Sequence, residues 1–220
     1  MARAAPTSSF VDRRDAGRRL AEQLRSYARR RQVVVLGLPR GGVPVAYEVA
    51  LALRAPLDVM MVRKLGVPGQ EELAFGAIAS GGVRVLNAEI VAEAGVTPEQ
   101  IERISAEQQV ELEQRERRYR GDVPALGLDG ATAIVVDDGL ATGATMRAAV
   151  EAVRMQPEAR VAIAVPVAAA SSARALAGVA DAIFCTVTPP RFVAVASWYG
   201  DFTPTTDEEV SALLALARNR

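Results

Sequence analysis

The chain has no histidine, one cysteine (Cys185), one tryptophan (Trp198) and one lysine (Lys64) among its 220 residues. Without histidine, the Ser–His–Asp and Cys–His nucleophile arrangements and most zinc sites are excluded. A lone cysteine cannot close an intrachain disulfide, and nothing points to an oxidising compartment, so a cytoplasmic location is the expectation. The N-terminus lacks the apolar stretch of a secretory signal, and no apolar run approaches the ~18–20 residues of a membrane span. Net charge is absent as well: 26 basic residues balance 26 acidic ones, so no global field draws the chain to nucleic acid or an anionic membrane. Its chemistry must therefore rest on carboxylates, arginine, one lysine, hydroxyls and backbone groups.

Half the residues are apolar, enough for the core of one medium domain. Residues 1–31 nevertheless carry nine arginines against Asp12, Asp15 and Glu22, and the remainder of the chain holds the compensating negative charge. Ala16, Leu20, Ala21, Leu24, Tyr27 and Ala28 recur at helical spacing there, which predicts an amphipathic helix over about 13–31 with a solvated arginine face. Val33–Leu38 reads as a strand buried on both sides, entering the turn Pro39-Arg40-Gly41-Gly42 and a helix to about Leu53. Leu57–Val62 reads as a second strand, followed by a loop from Arg63 to Glu72. Phe75–Ala79 and Val83–Leu86 flank Ser80-Gly81-Gly82 as a hairpin. Thr97-Pro98-Glu99-Gln100 is a capping box opening a long charged helix to about Arg120. Beyond it, strands at 133–136, 161–165 and 181–185 alternate with helices at 145–154 and 172–176, the pattern of right-handed βαβ units on a parallel sheet. A further strand at about 192–196 and a helix over about 207–218 complete the prediction.

Chemistry concentrates in Ile134-Val135-Val136-Asp137-Asp138-Gly139-Leu140-Ala141-Thr142-Gly143-Ala144-Thr145. An apolar strand ends in two carboxylates and passes through a turn of small residues into a helix. Ala141, Thr142, Gly143, Ala144 and Thr145 let the backbone curl around an oxyanion, with N–H groups and the positive end of the helix dipole facing it. Asp137 and Asp138 at the strand's carboxyl end suit two vicinal hydroxyls, met directly or through a Mg²⁺ shell. A plain helix cap would need one acid and not this loop.

These residues resemble the 5-phosphoribosyl-1-pyrophosphate (PRPP) motif of type I phosphoribosyltransferases, and the likeness extends in order over about 33–188. Leu38-Pro39-Arg40-Gly41-Gly42 looks like the family's pyrophosphate loop, which often carries a strained peptide bond, here expected at Pro39–Arg40. Arg63-Lys64 resembles the start of the flexible catalytic loop, and Lys64 stands out against 25 arginines. Arg-Lys-Leu-Gly and Trp198-Tyr199-x-Asp201-Phe202 are similar to a bacterial group of stand-alone members.

The resemblance implies an α/β fold of type I: a central, mainly parallel sheet flanked by helices, with a hairpin insertion and a small hood or helical arm. It divides the chain into a basic N-terminal helix (1–32), a core (33–190, with the hairpin and long helix inserted at 75–120) and a C-terminal segment (191–220). It also implies transfer of the phosphoribosyl group from Mg²⁺-PRPP to a nitrogenous acceptor, a nucleobase, with release of pyrophosphate. Asp137, Asp138, Lys64 and Arg40 are the implied catalytic groups, and the two aspartates the Mg²⁺ ligands, directly or through water. Residues 141–145 would hold the 5-phosphate; Arg40, Gly41, Gly42, Arg63 and Lys64 would meet pyrophosphate. Ala141 occupies the place where 6-oxopurine enzymes commonly keep an acid, which disfavours a hypoxanthine–guanine acceptor. Trp198, Tyr199 and Phe202 fit either base stacking or the core. The alternative function is a PRPP-sensing regulator that binds nucleic acid through the basic segment. The implied partners are PRPP and a small acceptor, with neither membrane nor nucleic acid required for the transferase; the family's habit allows a homodimer.

Overall fold

In the computed structural model, which describes residues 10–28 and 30–219, apolar strands covered on both faces set the layering. Arg3 and Arg29 of the basic segment lie outside the described residues. The elements are α1 (Arg13–Gln23), β1 (Val33–Gly37), α2 (Gly42–Leu53), β2 (Leu57–Val59), β3 (Val62–Val67), β4 (Gln70–Ala79), β5 (Val83–Leu86), α3 (Ala88–Glu93), α4 (Pro98–Arg120), β6 (Thr132–Val136), α5 (Ala144–Arg154), β7 (Arg160–Val167), α6 (Ala170–Leu176), β8 (Ala182–Val187) and α7 (Asp207–Arg218). Val33 and Val35 of β1 pack with residues of α1, α2 and α7 on one face, while Val34 and Leu36 join residues of α5 and α6 on the other. Two covered faces explain why these strands read as unbroken apolar runs.

Five parallel strands form the main sheet in the order β2-β1-β6-β7-β8. The chain leaves β1 toward β2 in one direction and β6 toward β7 in the other. A crevice must open above the carboxyl ends of β1 and β6, where the winding reverses, and ligands of open α/β sheets bind at such a point. Among the described residues no helix is long and apolar enough to cross a membrane.

Four expectations need correction. The N-terminal helix stops at Gln23 and gives way to a 3-10 turn at Arg25–Tyr27, because the chain must turn toward β1, with Gln32 at φ 65°. The second strand splits: β2 ends at Val59, Met60 and Met61 cross out of the sheet, and Val62 starts a three-stranded antiparallel ribbon β3-β4-β5. Ser80 makes the change of sheet, its hydroxyl accepting a hydrogen bond from Met61 N–H (2.8 Å) and its own N–H donating to the Met61 carbonyl. Arg63 and Lys64 therefore lie on a strand and not in a loop, and the insertion begins at Val62. Finally, residues 195–198 form a 3-10 turn in place of a strand, after Pro189-Pro190, and carry Trp198 into a cluster with Phe10 and Tyr199. The predicted hairpin is present, with Gly81 and Gly82 at φ 84° and 75°, and so is the capping box of α4.

The inserted helix is anchored by a buried ionic cluster. Arg120 donates to Asp58 Oδ1 (2.7 Å) and to the Val59 carbonyl (2.7 Å), and Asp58 Oδ2 accepts from Leu126 N–H (3.0 Å). Glu116 pairs with Arg120 at 3.0 Å and accepts the Ser80 hydroxyl, so α4, β2 and the ribbon share one polar junction. Removing one partner leaves an uncompensated buried charge. Asp58→Ala is expected to lower stability by about 3–5 kcal/mol in urea unfolding, whereas Arg117→Ala, on the exposed face of α4, should stay within about 0.5 kcal/mol.

Candidate active site

The crevice is built from two strand ends. β1 delivers the turn Leu38-Pro39-Arg40-Gly41, whose Pro39–Arg40 peptide is cis, at the bond where the family resemblance implied a strained peptide. β6 delivers Asp137 and Asp138. The two meet at very short range: a Cβ on Gly41 would lie 2.0 Å from Asp138 Oδ2, and one on Gly42 would lie 2.7 Å from the Val136 carbonyl oxygen. Only glycine lets the β1 turn rest against the diacid.

Asp138 is held from three sides. Arg13 Nε donates to Asp138 Oδ2 at 2.9 Å, and its Nη1 donates to the Thr203 carbonyl at 2.8 Å. The same guanidinium lies 3.9 Å from the centre of the Phe202 ring. The Tyr199 hydroxyl donates to the Asp138 carbonyl, and Asp138 N–H donates to Asp137 Oδ1 at 2.8 Å. Burial, then the neighbouring Asp138 charge, pushes the Asp137 carboxyl well above its ordinary range. Burial also raises Asp138, with Arg13 working in the opposite direction. Tyr199 is raised by burial first and by Asp138 second, so it stays protonated as a donor.

Arg13 is the residue sequence reading missed. It belongs to the supposedly solvated face of α1, yet its side chain is 11% exposed. Arg14 pairs with the buried Glu48 at 2.6 Å. Arg13 is thereby taken out of any nucleic-acid surface, whereas the Arg14 side chain stays 54% exposed. Arginine at 13 becomes legible as a site residue only when α1 is seen to pack beside the β6 end. Trp198 and Tyr199 are buried with Phe10, Ala16 and Val167, so these two belong to the core; Phe202 is partly buried and covers Arg13.

Beyond the diacid, Ala141–Thr145 forms the turn into α5, with Gly143 at φ 81° as N-cap and no side-chain cap hydrogen bond. The Ala141 carbonyl is fixed by the Ser172 hydroxyl, and Thr142, Ala144 and Thr145 are exposed. Free N–H groups at a helix start can serve an oxyanion. Strand alternation separates the two ribbon cations. Lys64 faces a cavity of about 650 Å³ shared with Thr142, Gly143 and Ala144. Arg63 points the other way, to Gln108 (2.9 Å) and Glu111 of α4. Arg40 opens on a second, polar cavity of about 270 Å³, together with Thr145, Arg115, Arg118, Tyr119 and Asp207. Gly41, Gly42, Asp137 and Asp138 thus come together; Lys64 shares one cavity with Thr142, Gly143 and Ala144, Arg40 shares another with Thr145, and Arg63 stands apart.

Among the described residues no group of three or more His, Cys, Asp or Glu could cage a metal ion. Mg²⁺ is commonly held by one or two carboxylates completed by substrate oxygens and water, a donor set that Asp137 and Asp138 fit.

A model of the phosphoribosyl transferase domain matches residues 10–200. Two curated Mycobacterium tuberculosis proteins, "Putative phosphoribosyl transferase MT0597" of strain CDC 1551 and "Putative phosphoribosyl transferase Rv0571c" of strain H37Rv, are each 48% identical over 205 residues. The match covers 93% of this chain and 46% of theirs, so the chain spans about half the length of these relatives. The crystal structure of TT1426 from Thermus thermophilus aligns with a TM-score of 0.83 at 43% identity, over 94% of this chain and 97% of that one.

The raised Asp137 carboxyl has a consequence for stability. A carboxyl whose folded pKa lies above its unfolded value favours the fold only while protonated, so this contribution is lost as pH rises above about 4. Without divalent cation, Asp137→Asn should melt at a higher temperature than wild type near pH 7, with the gap closing toward about pH 4; differential scanning fluorimetry across that range checks it.

Proposed function

This chain belongs to the phosphoribosyl transferase domain family, and from that premise we propose that it binds Mg²⁺-PRPP in the β1–β6 crevice and transfers the 5-phosphoribosyl group to a nitrogenous base, releasing pyrophosphate. The observation that carries this reading is the seating of the Arg40-Gly41-Gly42 turn against the Asp137–Asp138 pair, with an oxyanion-binding turn leading directly into α5.

In this reading the N–H groups of 141–145 take the 5-phosphate, and Lys64 adds a positive charge beside them. Asp137 and Asp138 orient the ribose hydroxyls. Asp138 keeps its position through Arg13, which also limits the negative charge accumulating next to a phosphorylated ligand. Asp137 and Asp138 would hold Mg²⁺, which when bound would supply charge neutralisation for the departing pyrophosphate. At C1 the C–O bond to pyrophosphate breaks with its electron pair leaving on pyrophosphate. The acceptor nitrogen supplies the pair for the new C–N bond, and its proton passes to water. Positive charge that develops on the ribose lies near the two aspartates, and the pyrophosphate meets the Arg40 turn, so positioning and electrostatics supply the catalysis. Ala141, in place of an acid, argues against a 6-oxopurine acceptor.

The test is Mg²⁺-dependent pyrophosphate release from PRPP with a panel of purine and pyrimidine bases. Release is expected with one base class and should fall by about 100-fold or more in Asp137→Asn/Asp138→Asn. PRPP should also raise the melting temperature of the wild type and not of the variant. Absence of both release and thermal protection would refute the assignment.

A further inference from the structure

The β3 pair Arg63-Lys64 does not supply cations to the cavity at Arg40: Arg63 is bound to Gln108 and Glu111, and Lys64 faces the 141–145 turn. That cavity has other basic walls. Arg115 and Arg118 stand one helical turn apart on α4, a spacing that puts both on one face, and both line the cavity with Arg40 and Thr145. We propose that Arg115 and Arg118 of the inserted helix α4, together with Arg40, form the side-chain binding site for the diphosphate group of PRPP, an inference that rests on the function proposed above.

Three observations support it. The cavity already binds an anion from within the chain: Asp207, at the start of α7, accepts from Arg118 Nη1 (2.8 Å) and the Tyr119 hydroxyl (2.7 Å) and lies 3.9 Å from Arg40 Nη1. One carboxylate leaves three guanidinium groups with an excess of two positive charges, which matches a diphosphate better than a single acid. Arg115 makes no ion pair among the described residues, while Arg40 and Arg118 remain half or more exposed and so accessible to ligand. Finally, the cavity opens between the cis turn of β1 and Thr145, so a ligand whose 5-phosphate occupies the 141–145 turn can extend its other end into it. Guanidinium groups pair with phosphate oxygens in bidentate fashion and stay charged at all working pH values. Asp207 then acts as an internal placeholder that keeps Arg40 and Arg118 aimed at the cavity until diphosphate arrives.

Calorimetric titration with Mg²⁺-pyrophosphate and, separately, with ribose 5-phosphate tests the assignment. Arg115→Gln/Arg118→Gln should weaken pyrophosphate binding by about tenfold or more, leave ribose 5-phosphate within about twofold, and raise the KM for PRPP. Arg117→Gln removes the same charge from another face of α4 and should change neither titration. If the double variant does not fold, Arg115→Gln alone, which breaks no ion pair, should still weaken pyrophosphate by several-fold. Unchanged pyrophosphate affinity in a variant whose wild type binds both ligands overturns the α4 assignment and spares the proposed function. Failure of the wild type to bind either ligand overturns both.

Discussion

Two carboxylates side by side at the reversal point of a parallel sheet are the constraint around which this molecule is arranged. Burial favours the neutral form of both Asp137 and Asp138, and the Asp138 charge adds to the effect at Asp137. Arg13 reaches Asp138 from α1, whose sequence distance from β6 is more than a hundred residues. Tyr199 and Phe202 then fix Asp138 and Arg13 from the C-terminal segment. Both chain ends are thereby recruited to hold one acidic pair, so the N-terminal helix and the C-terminal segment act as parts of the site's scaffold.

The insertion is tied to the sheet through a second charge pair of a different kind. Arg120 and Asp58 are almost fully buried and each makes a further hydrogen bond to backbone, the condition under which a buried ion pair is tolerated. Because Arg120 is the last residue of α4, fixing it fixes the preceding turn as well. Arg115, Arg118 and Tyr119 consequently stand over the carboxyl ends of β1 and β2. The C-terminal end is thus a polar anchor of a mostly polar helix that also buries Ile101 and Leu112.

What could be read from sequence divides along the range of the interactions. The strand Thr132–Val136, its two aspartates, the small-residue turn and α5 are contiguous, and local chemistry alone makes them recognisable. The hairpin glycines and the Thr97–Gln100 cap are likewise short-range, and they lie where expected. Arg63 and Lys64 read as one feature in the sequence because they are adjacent. On a strand, adjacent side chains point to opposite faces, and no local signal distinguishes that strand from a loop, since its partner β4 brings the pairing. The role of Arg13 and the approach of α4 to β1 depend on packing between distant segments, which composition and periodicity do not encode. The aromatic residues show the same limit: Trp198 and Tyr199 fit a stacking platform by type, and only their burial against Phe10 assigns them to the core.

The scarcity of histidine and lysine bears on how charge is managed near neutral pH. Arginine holds its proton throughout the physiological range, so the guanidinium groups around the crevice provide a field that pH does not modulate. Tyr119, pushed up to about 12 by burial and by Asp207, remains a donor as well. The acidic pair responds to its surroundings, because burial lifts both carboxyls, the Asp138 charge lifts Asp137 further, and Arg13 opposes the shift. A bound cation would favour the ionised forms, opposing the upward shift that burial imposes on both carboxyls.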